Sequence, residues 1–394
     1  MGFKNLRCCE AKGSKLGKLV ILVLGGYGNF GARICHALAG DPHIQLLVGG
    51  RDAQRAVALA ATLGHGAQGV AIDLHAPGFS QRLRQWGVQL LVHTAGPFQG
   101  QDYSVARAAA AAGAHFLDLA DGRRFVCDFA DALQPTFVAA GRTAITGAST
   151  VPALSSAVVA HLCAGWQQID SIDTCIAPAQ TAPRGRATLA AVLGYCGEPV
   201  QVWDGGQWQS RRGWAQPTPV HFARLRTRRG ALCEIPDLEL FPPHFQVRQR
   251  VVFRAAVEVP LAQRVFAALA ALRAHGLMVQ PARLAGLLNA TARMLDFLGT
   301  SLGGMVVRVV GLDAQGQPAR RAWHIAADND HGPEIPCMAA ILLARRLARQ
   351  QTLPVGAFAC MGMLSLEDFA PEFARWGMVT DVVEEAVEEV GHGA

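Results

Sequence analysis

Residues Leu19–Leu24 (LVILVL) run directly into Gly25-Gly26-Tyr27-Gly28-Asn29-Phe30-Gly31, after which apolar residues recur at helical spacing from Phe30 to Leu38. A buried strand, a glycine turn and a helix in that order leave few folds open. In the pattern Gly26-x-Gly28-x-x-Gly31 the first glycine permits a tight turn. The second lets the backbone approach a pyrophosphate, and the third lets helix and strand pack closely. The helix then offers free N–H groups and a positive dipole end to that phosphate. Gly26, Tyr27, Gly28, Asn29, Phe30 and Gly31 are therefore candidate dinucleotide-binding residues.

Further short apolar runs alternate with helical stretches. Strands are expected at Ile44–Val48, Gly69–Ile72, Gln89–His93, His115–Leu119 and Thr143–Ile145, with helices between them. This alternation predicts an α/β fold, a Rossmann-type doubly wound parallel sheet. Beyond about residue 165 the pattern changes to longer strands, among them Ile169–Ile176, Phe245–Val259, Met305–Leu312 and Ala319–Ala327. Helices at Leu261–Ala274, Pro281–Leu298 and Ile335–Arg349 intervene. The second domain reads as α+β with a largely antiparallel sheet. The expected division is a basic tail over 1–18, the dinucleotide domain over 19–165, and a substrate or dimerisation domain over 166–330. A C-terminal helical segment over 331–394 returns to the cleft and ends in an acidic tail.

The end of the second strand selects the nucleotide. Where an NAD-binding fold places an acid for the ribose 2′-OH, this chain has Val48-Gly49-Gly50-Arg51-Asp52. Glycine removes the repulsion toward a 2′-phosphate, and Arg51 can fork onto it, which favours NADP over NAD. Asp52 stands directly before a helix and suits a cap. Asp73, past the third strand, is a candidate acceptor for the adenine amino group or an ordinary loop cap.

Composition narrows the chemistry. The net charge is +6, yet the only lysines are Lys4, Lys12, Lys15 and Lys18, all ahead of the first strand. No lysine base or Schiff base is available in the folded body. Arginines gather at Arg184, Arg186, Arg211, Arg212, Arg224, Arg226, Arg228 and Arg229, a candidate carboxylate-binding group or a solvated basic loop. No nucleic-acid motif accompanies them. Ten cysteines lack CxxC or zinc spacing, so no metal site is expected. The longest stretch free of charge, Thr143–Ile169, holds Pro152, His161 and many small polar residues, and is not expected to span a membrane. Leu19–Leu24 is too short for a signal segment, so a cytoplasmic location is the expectation. Asp381, Glu384, Glu385, Glu388 and Glu389 make the C-terminus acidic.

Several segments together resemble the saccharopine dehydrogenase-like oxidoreductases. They are the glycine turn with Gly50-Arg51, Ala95-Gly96-Pro97-Phe98 after the fourth strand, Ala112–Leu119 (AGAHFLDL), Gly147–Pro152 (GASTVP) and Gly332–Pro336 (GPEIP). The resemblance implies an NAD(P)-binding domain, a second domain carrying substrate, and hydride chemistry around a C=N bond or, in some branches, a C=C bond. Where relatives often show Gly-Glu after the Asp-Leu strand, this chain has Asp121-Gly122.

Nicotinamide chemistry belongs at the carboxyl ends of the strands. Gly96 and Pro97 are expected to shape the nicotinamide ribose pocket. Asp121 is the first candidate for the proton-transferring group and His93 the second; Asp118, Tyr103 and His331 are the remaining ones. Ser149 and Thr150 are expected to cap a helix begun by Pro152. The reading is an NADP-dependent oxidoreductase acting on a small polar substrate. The alternative is a non-catalytic NADP-binding sensor. The long apolar strands of the second domain point to a homodimer.

Overall fold

The computed structural model describes residues 17–183, 189, 192–278 and 280–385. Most of the basic tail, Arg184, Arg186, Cys8, Cys9, Glu388 and Glu389 lie outside the described residues.

The first half alternates β1 (Leu19–Leu24), α1 (Asn29–Leu38), β2 (Ile44–Gly50), α2 (Ala53–Leu63), β3 (Gln68–Ala71), α3 (Phe79–Gln85), β4 (Leu90–His93), α4 (Ser104–Ala111) and β5 (His115–Asp118). It continues with α5 (Arg123–Cys127), α6 (Phe129–Ala140), β6 (Thr143–Thr146) and, after an irregular turn over Thr150–Leu154, α7 (Ser155–Leu162). The strands pair in parallel in the order β6-β5-β4-β1-β2-β3. Successive residues alternate between two cores. Leu22, Leu24, Leu47 and Leu91 pack on one face, and Ile21, Val23, Val48 and Val92 pack on the other. Both faces are covered, which explains why these strands are continuously apolar. The strand order reverses beside β1, and that switch point is where a doubly wound sheet opens a crevice.

The second half contributes β7 (Gln168–Ala177), β8 (Pro199–Asp204), β9 (Gln207–Arg212), β10 (Thr218–Val220), β11 (Arg228–Leu232), β12 (Arg250–Ala255), β13 (Gly303–Leu312) and β14 (Pro318–Ala327). β15 (Gly356–Ala359) and β16 (Val379–Glu384) follow. The second sheet runs β10-β11-β12-β7-β13-β14-β16, with the β8–β9 hairpin attached to β12. Among these pairings β12–β7 is parallel and the others are antiparallel.

Three expectations need correction, and the ground given for a fourth, the homodimer, changes. The strand expected over Phe245–Val259 is confined to Arg250–Ala255, because Asp237–His244 is a helix and residues 246–249 turn the chain. The helix expected over Pro281–Leu298 is broken into a 3-10 turn, the helix Ala285–Met294 and a second 3-10 turn, Asp296–Leu298. The segment 331–394 is not simply helical. β15 adds a seventh parallel strand beside β6, and β16 closes the edge of the second sheet. Four residues are too few to show a period, so β15 is defined only by its distant partner. Finally, the strands that pointed to a dimer are covered by the chain itself. Met305, Val307 and Val309 lie in the large core, and Val306 packs with Val220 and Leu225 on the opposite face.

The helix Ile335–Ala348 ties the halves together. Arg33 on α1 pairs with Glu334 at 2.9 Å, and Arg345 donates to the Ala37 carbonyl at 3.0 Å. The 331–348 segment thus braces the back of α1 and does not line the cleft. Among the described residues, no helix is long and apolar enough to cross a membrane.

Candidate functional site

The carboxyl ends of β1 to β5 surround one cleft of about 600 Å³. Its first wall is the glycine turn. Gly25 adopts φ +82°, a left-handed conformation natural to glycine. Its N–H and that of Gly26 both donate to the Gly49 carbonyl at 2.9 Å, and Gly28 N–H returns to Gly25 at 2.8 Å. Tyr27, Gly28, Asn29 and Phe30 line the cleft. Gly26 and Gly31 do not; they enforce its shape. A Cβ on Gly26 would sit 2.9 Å from the Val23 carbonyl and from Val48 Cγ1. One on Gly31 would run into the Gly25 carbonyl and lie 2.8 Å from Thr94 Oγ1. Gly28 caps α1 without a side-chain bond, which leaves the first-turn N–H groups for an anion.

The second wall belongs to β2 and β3. Gly50, Arg51, Asp73 and His75 line it. Asp52 caps α2 by accepting from Arg55 N–H at 3.1 Å, so it is not a ribose ligand. Asp73 accepts from His75 N–H at 3.0 Å, which fills one oxygen with a loop bond while the residue still faces the cleft. Among the described residues Arg51 has no carboxylate partner. The anion-binding turn and Arg51, without a carboxylate partner among the described residues, thus border the same cleft.

The floor and mouth come from the loops after β4 and β5. Thr94 bolts the glycine turn to β4 by donating to the Leu24 carbonyl at 2.9 Å. Gly96 and Pro97 follow in the lining. Gln101 holds that loop by donating to the carbonyls of Ala95 (2.9 Å) and Pro97 (2.7 Å). Across the mouth, Gln99 donates to Asp121 at 3.2 Å.

Asp121, on the loop after β5, joins Asp73 among the cleft-lining residues. Water reaches it, yet protein crowds the concavity around it, and that crowding raises its pKa; the Gln99 bond acts in the opposite direction. Arg123 and Arg124 do not oppose the shift. Arg123 is turned onto Glu239 (2.8 Å) and the Gln201 carbonyl (2.8 Å), and Arg124 pairs with Asp128 and Glu239.

His93 is not in the cleft. It stands in register between Leu24 and Asp118, 1% exposed, with Nε2 3.1 Å from Gln101 Oε1 and the Phe98 ring edge-on at 5.1 Å. Burial pushes its pKa down to about 4, so it is neutral near pH 7 and braces the loop through Gln101. Asp118 is fully buried. One oxygen accepts from Ala120 N–H, Thr146 Oγ1 and Gly147 N–H at 2.8–2.9 Å, and the other has no partner. Burial raises it to about 7. Tyr103 packs on Phe125 and Phe129 and donates to the Phe125 carbonyl at 3.0 Å. His331 has Nδ1 3.0 Å from the Trp376 carbonyl, away from the cleft. Ser149 and Thr150 are buried, and Ser149 makes no side-chain cap bond.

The arginine group is dispersed. Arg211 pairs with Asp204, Arg224 with Asp381 and buried Arg228 with Glu258, while Arg229 donates to the Pro217 carbonyl. None of these lines the cleft. The sequence reading missed Tyr195 of the second domain. Its hydroxyl lies beside the Cys233 thiol in the field of Asp121 and Glu234, and burial raises its pKa well above the usual range. Tyrosine occurs only three times in the chain, and that scarcity was the available signal. Among the described residues, no group of three or more metal-ligating side chains occurs.

Residues 21–145 match the family model described as the saccharopine dehydrogenase NADP binding domain. No curated protein matches the chain in sequence. Among solved structures, the apo histidine-tagged saccharopine dehydrogenase (L-Glu forming) from Saccharomyces cerevisiae matches with a TM-score of 0.67 at 12% identity. The match covers 93% of this chain and 100% of that one. An engineered D-amino acid dehydrogenase bound to NADP+ matches at 0.45 and 14% identity, over 90% of this chain and 99% of that one. The C. glutamicum DAP dehydrogenase in complex with DAP matches at 0.44 and 14% identity over the same shares. The first likeness shows the two-domain fold.

Proposed function

The chain carries a saccharopine dehydrogenase-like NAD(P)-binding domain, and from that premise we propose that it is an NADP-dependent oxidoreductase acting on a small polar substrate at a C=N or amine carbon. A bound nicotinamide supplies or accepts the hydride. The protein's part is to hold, orient and protonate. The α1 N-terminus and Gly28 receive the pyrophosphate, and Arg51 takes the 2′-phosphate. The loop Ala95–Gln99, steadied by Gln101, lies beside the glycine turn and would support the nicotinamide end of the cofactor.

Asp121 moves the proton. It is the carboxylate at the cleft mouth, tied to Gln99 and raised in pKa by its surroundings. The observation that carries the reading is the single cleft joining the glycine turn, Arg51 and Asp121. Arg123 and Arg124 are engaged elsewhere, which leaves the upward shift of the Asp121 pKa unopposed by them.

The test is direct. NADPH bound to purified protein is expected to be oxidised when cyclic imines, or 2-oxo acids with amines, are supplied, as followed by its absorbance. Binding without turnover across such a panel would favour a nucleotide sensor instead. Failure to bind either NADPH or NADH would overturn both readings.

A further inference from the structure

The Tyr27 ring occupies a place that, in many folds of this architecture, belongs to an acid. Gly50 ends β2, where an aspartate or glutamate would grip the two ribose hydroxyls of NAD. Here a Cβ on Gly50 would lie 2.6 Å from Tyr27 Cζ and 2.8 Å from its hydroxyl oxygen, and closer still to Cε1. Real Cβ atoms do not approach backbone-anchored rings so closely. The ring is also held from the other side, because its hydroxyl accepts from Asp52 N–H at 2.9 Å. Tyr27, Gly50 and the start of α2 thus form one packed unit.

That unit carries a cation. The Arg55 guanidinium carbon lies 4.5 Å from the centroid of the Tyr27 ring, a cation–π distance. Arg55 sits in the first turn of α2 and is exposed, and Arg51 lines the adjoining cleft. Among the described residues neither arginine has a carboxylate partner. Two guanidinium groups without a carboxylate partner among the described residues, four positions apart in the chain, and the N-terminus of α2 are three sources of positive potential. A doubly charged phosphate monoester relieves all three terms at once. A neutral ribose diol relieves none.

We propose that Arg55, carried on the Tyr27 ring, is the second arm of a 2′-phosphate clamp whose first arm is Arg51, and that Tyr27 bars the acid-for-diol exchange at residue 50. The proposal rests on the NADP reading and names the device that enforces it. It has a consequence opposite to the usual cofactor switch. Placing an acid at residue 50 displaces the ring and with it Arg55, so neither cofactor gains.

The experiment is calorimetry with 2′,5′-ADP and 5′-AMP, which report the phosphate subsite without turnover. Wild type is expected to bind 2′,5′-ADP at least tenfold more tightly than 5′-AMP. Arg55→Gln, at an exposed position that does not threaten folding, is expected to weaken 2′,5′-ADP about tenfold and leave 5′-AMP within twofold. Tyr27→Leu keeps both charges but removes the platform, and is expected to weaken 2′,5′-ADP by a smaller factor. Gly50→Asp is expected to weaken both ligands. If wild type does not distinguish the two ligands, the NADP reading itself fails. If wild type does but Arg55→Gln binds 2′,5′-ADP as wild type does, the clamp is overturned and the NADP reading stands. If Gly50→Asp gains affinity for 5′-AMP, the bar set by Tyr27 is refuted.

Discussion

Gln99 Nε2 lies 3.2 Å from a carboxylate oxygen of Asp121, joining the loop after β4 to the loop after β5 across the mouth of the cleft. The bond stabilises the charged form of Asp121, while the crowded concavity stabilises the neutral form, and the second effect is the larger. Asp121→Asn retains the size of the side chain and removes the titrating proton. Turnover of an imine substrate is expected to fall about 100-fold with NADPH affinity unchanged. Turnover within threefold of wild type would remove Asp121 from the role of acid.

The same carboxyl group sets a pH dependence. A proton donor must be protonated, so the reductive rate is expected to fall as pH rises through the raised pKa of Asp121. Gln99→Ala removes the bond that favours the charged form, and is expected to move that fall to higher pH. Rate–pH profiles of the two proteins that superimpose would contradict the assigned coupling.

Arg51→Glu reverses the charge facing the 2′-phosphate. NADPH binding is expected to weaken by tenfold or more, on the order of 1.5–3 kcal/mol for a charge-assisted contact, with NADH changed far less. Equal losses for the two nucleotides in calorimetry would show that Arg51 does not read the phosphate.

Asp118 makes stability fall with rising pH. Its folded pKa is about 7, above the ordinary 3.8. Between these values the folded chain keeps a proton that the unfolded chain releases. The contribution is therefore fully present below the ordinary value and is lost as pH rises through the folded value. His93, held down at about 4, acts in the opposite sense below pH 6.5, and comparison with a variant cancels it. Asp118→Asn cannot ionise, so its melting temperature is expected to decline less between pH 5 and pH 8 than that of wild type. Parallel declines would refute the linkage.

Gly31→Ala inserts a methyl group against the Gly25 carbonyl and Thr94 Oγ1. Both neighbours are held, Gly25 by its bond to Gly49 and Thr94 by its bond to Leu24. The turn must open, and loss of nucleotide binding is expected while far-ultraviolet circular dichroism stays near wild type. Retained affinity would show that the turn tolerates the shift.

The nucleotide domain was legible because its signals are local. A six-residue apolar strand, a glycine turn and a capped helix declare themselves within a few residues, and Asp52 at the head of α2 was readable as a cap for the same reason. Gly50-Arg51 showed the missing acid, although nothing in the sequence showed that the Tyr27 ring fills its place. Asp121 was placed by its position after a strand. His93 was not, because the face on which a strand-end side chain falls depends on the strands beside it, and here Leu24 and Asp118 leave it buried.

Chain order and residue type therefore determined the doubly wound sheet, the turn and the charge available at each loop. Tertiary structure decided what distance along the chain conceals. β15 becomes a strand only by pairing with β6, more than two hundred residues earlier. Of the arginines that looked like one cluster, Arg211, Arg224, Arg228 and Arg229 each take a different partner, Asp204, Asp381, Glu258 and the Pro217 carbonyl. Tyr195, 74 residues further along the chain, comes within the field of Asp121 only through the tertiary fold. A local pattern records which contacts a residue can make, and burial against distant neighbours selects the ones it does make.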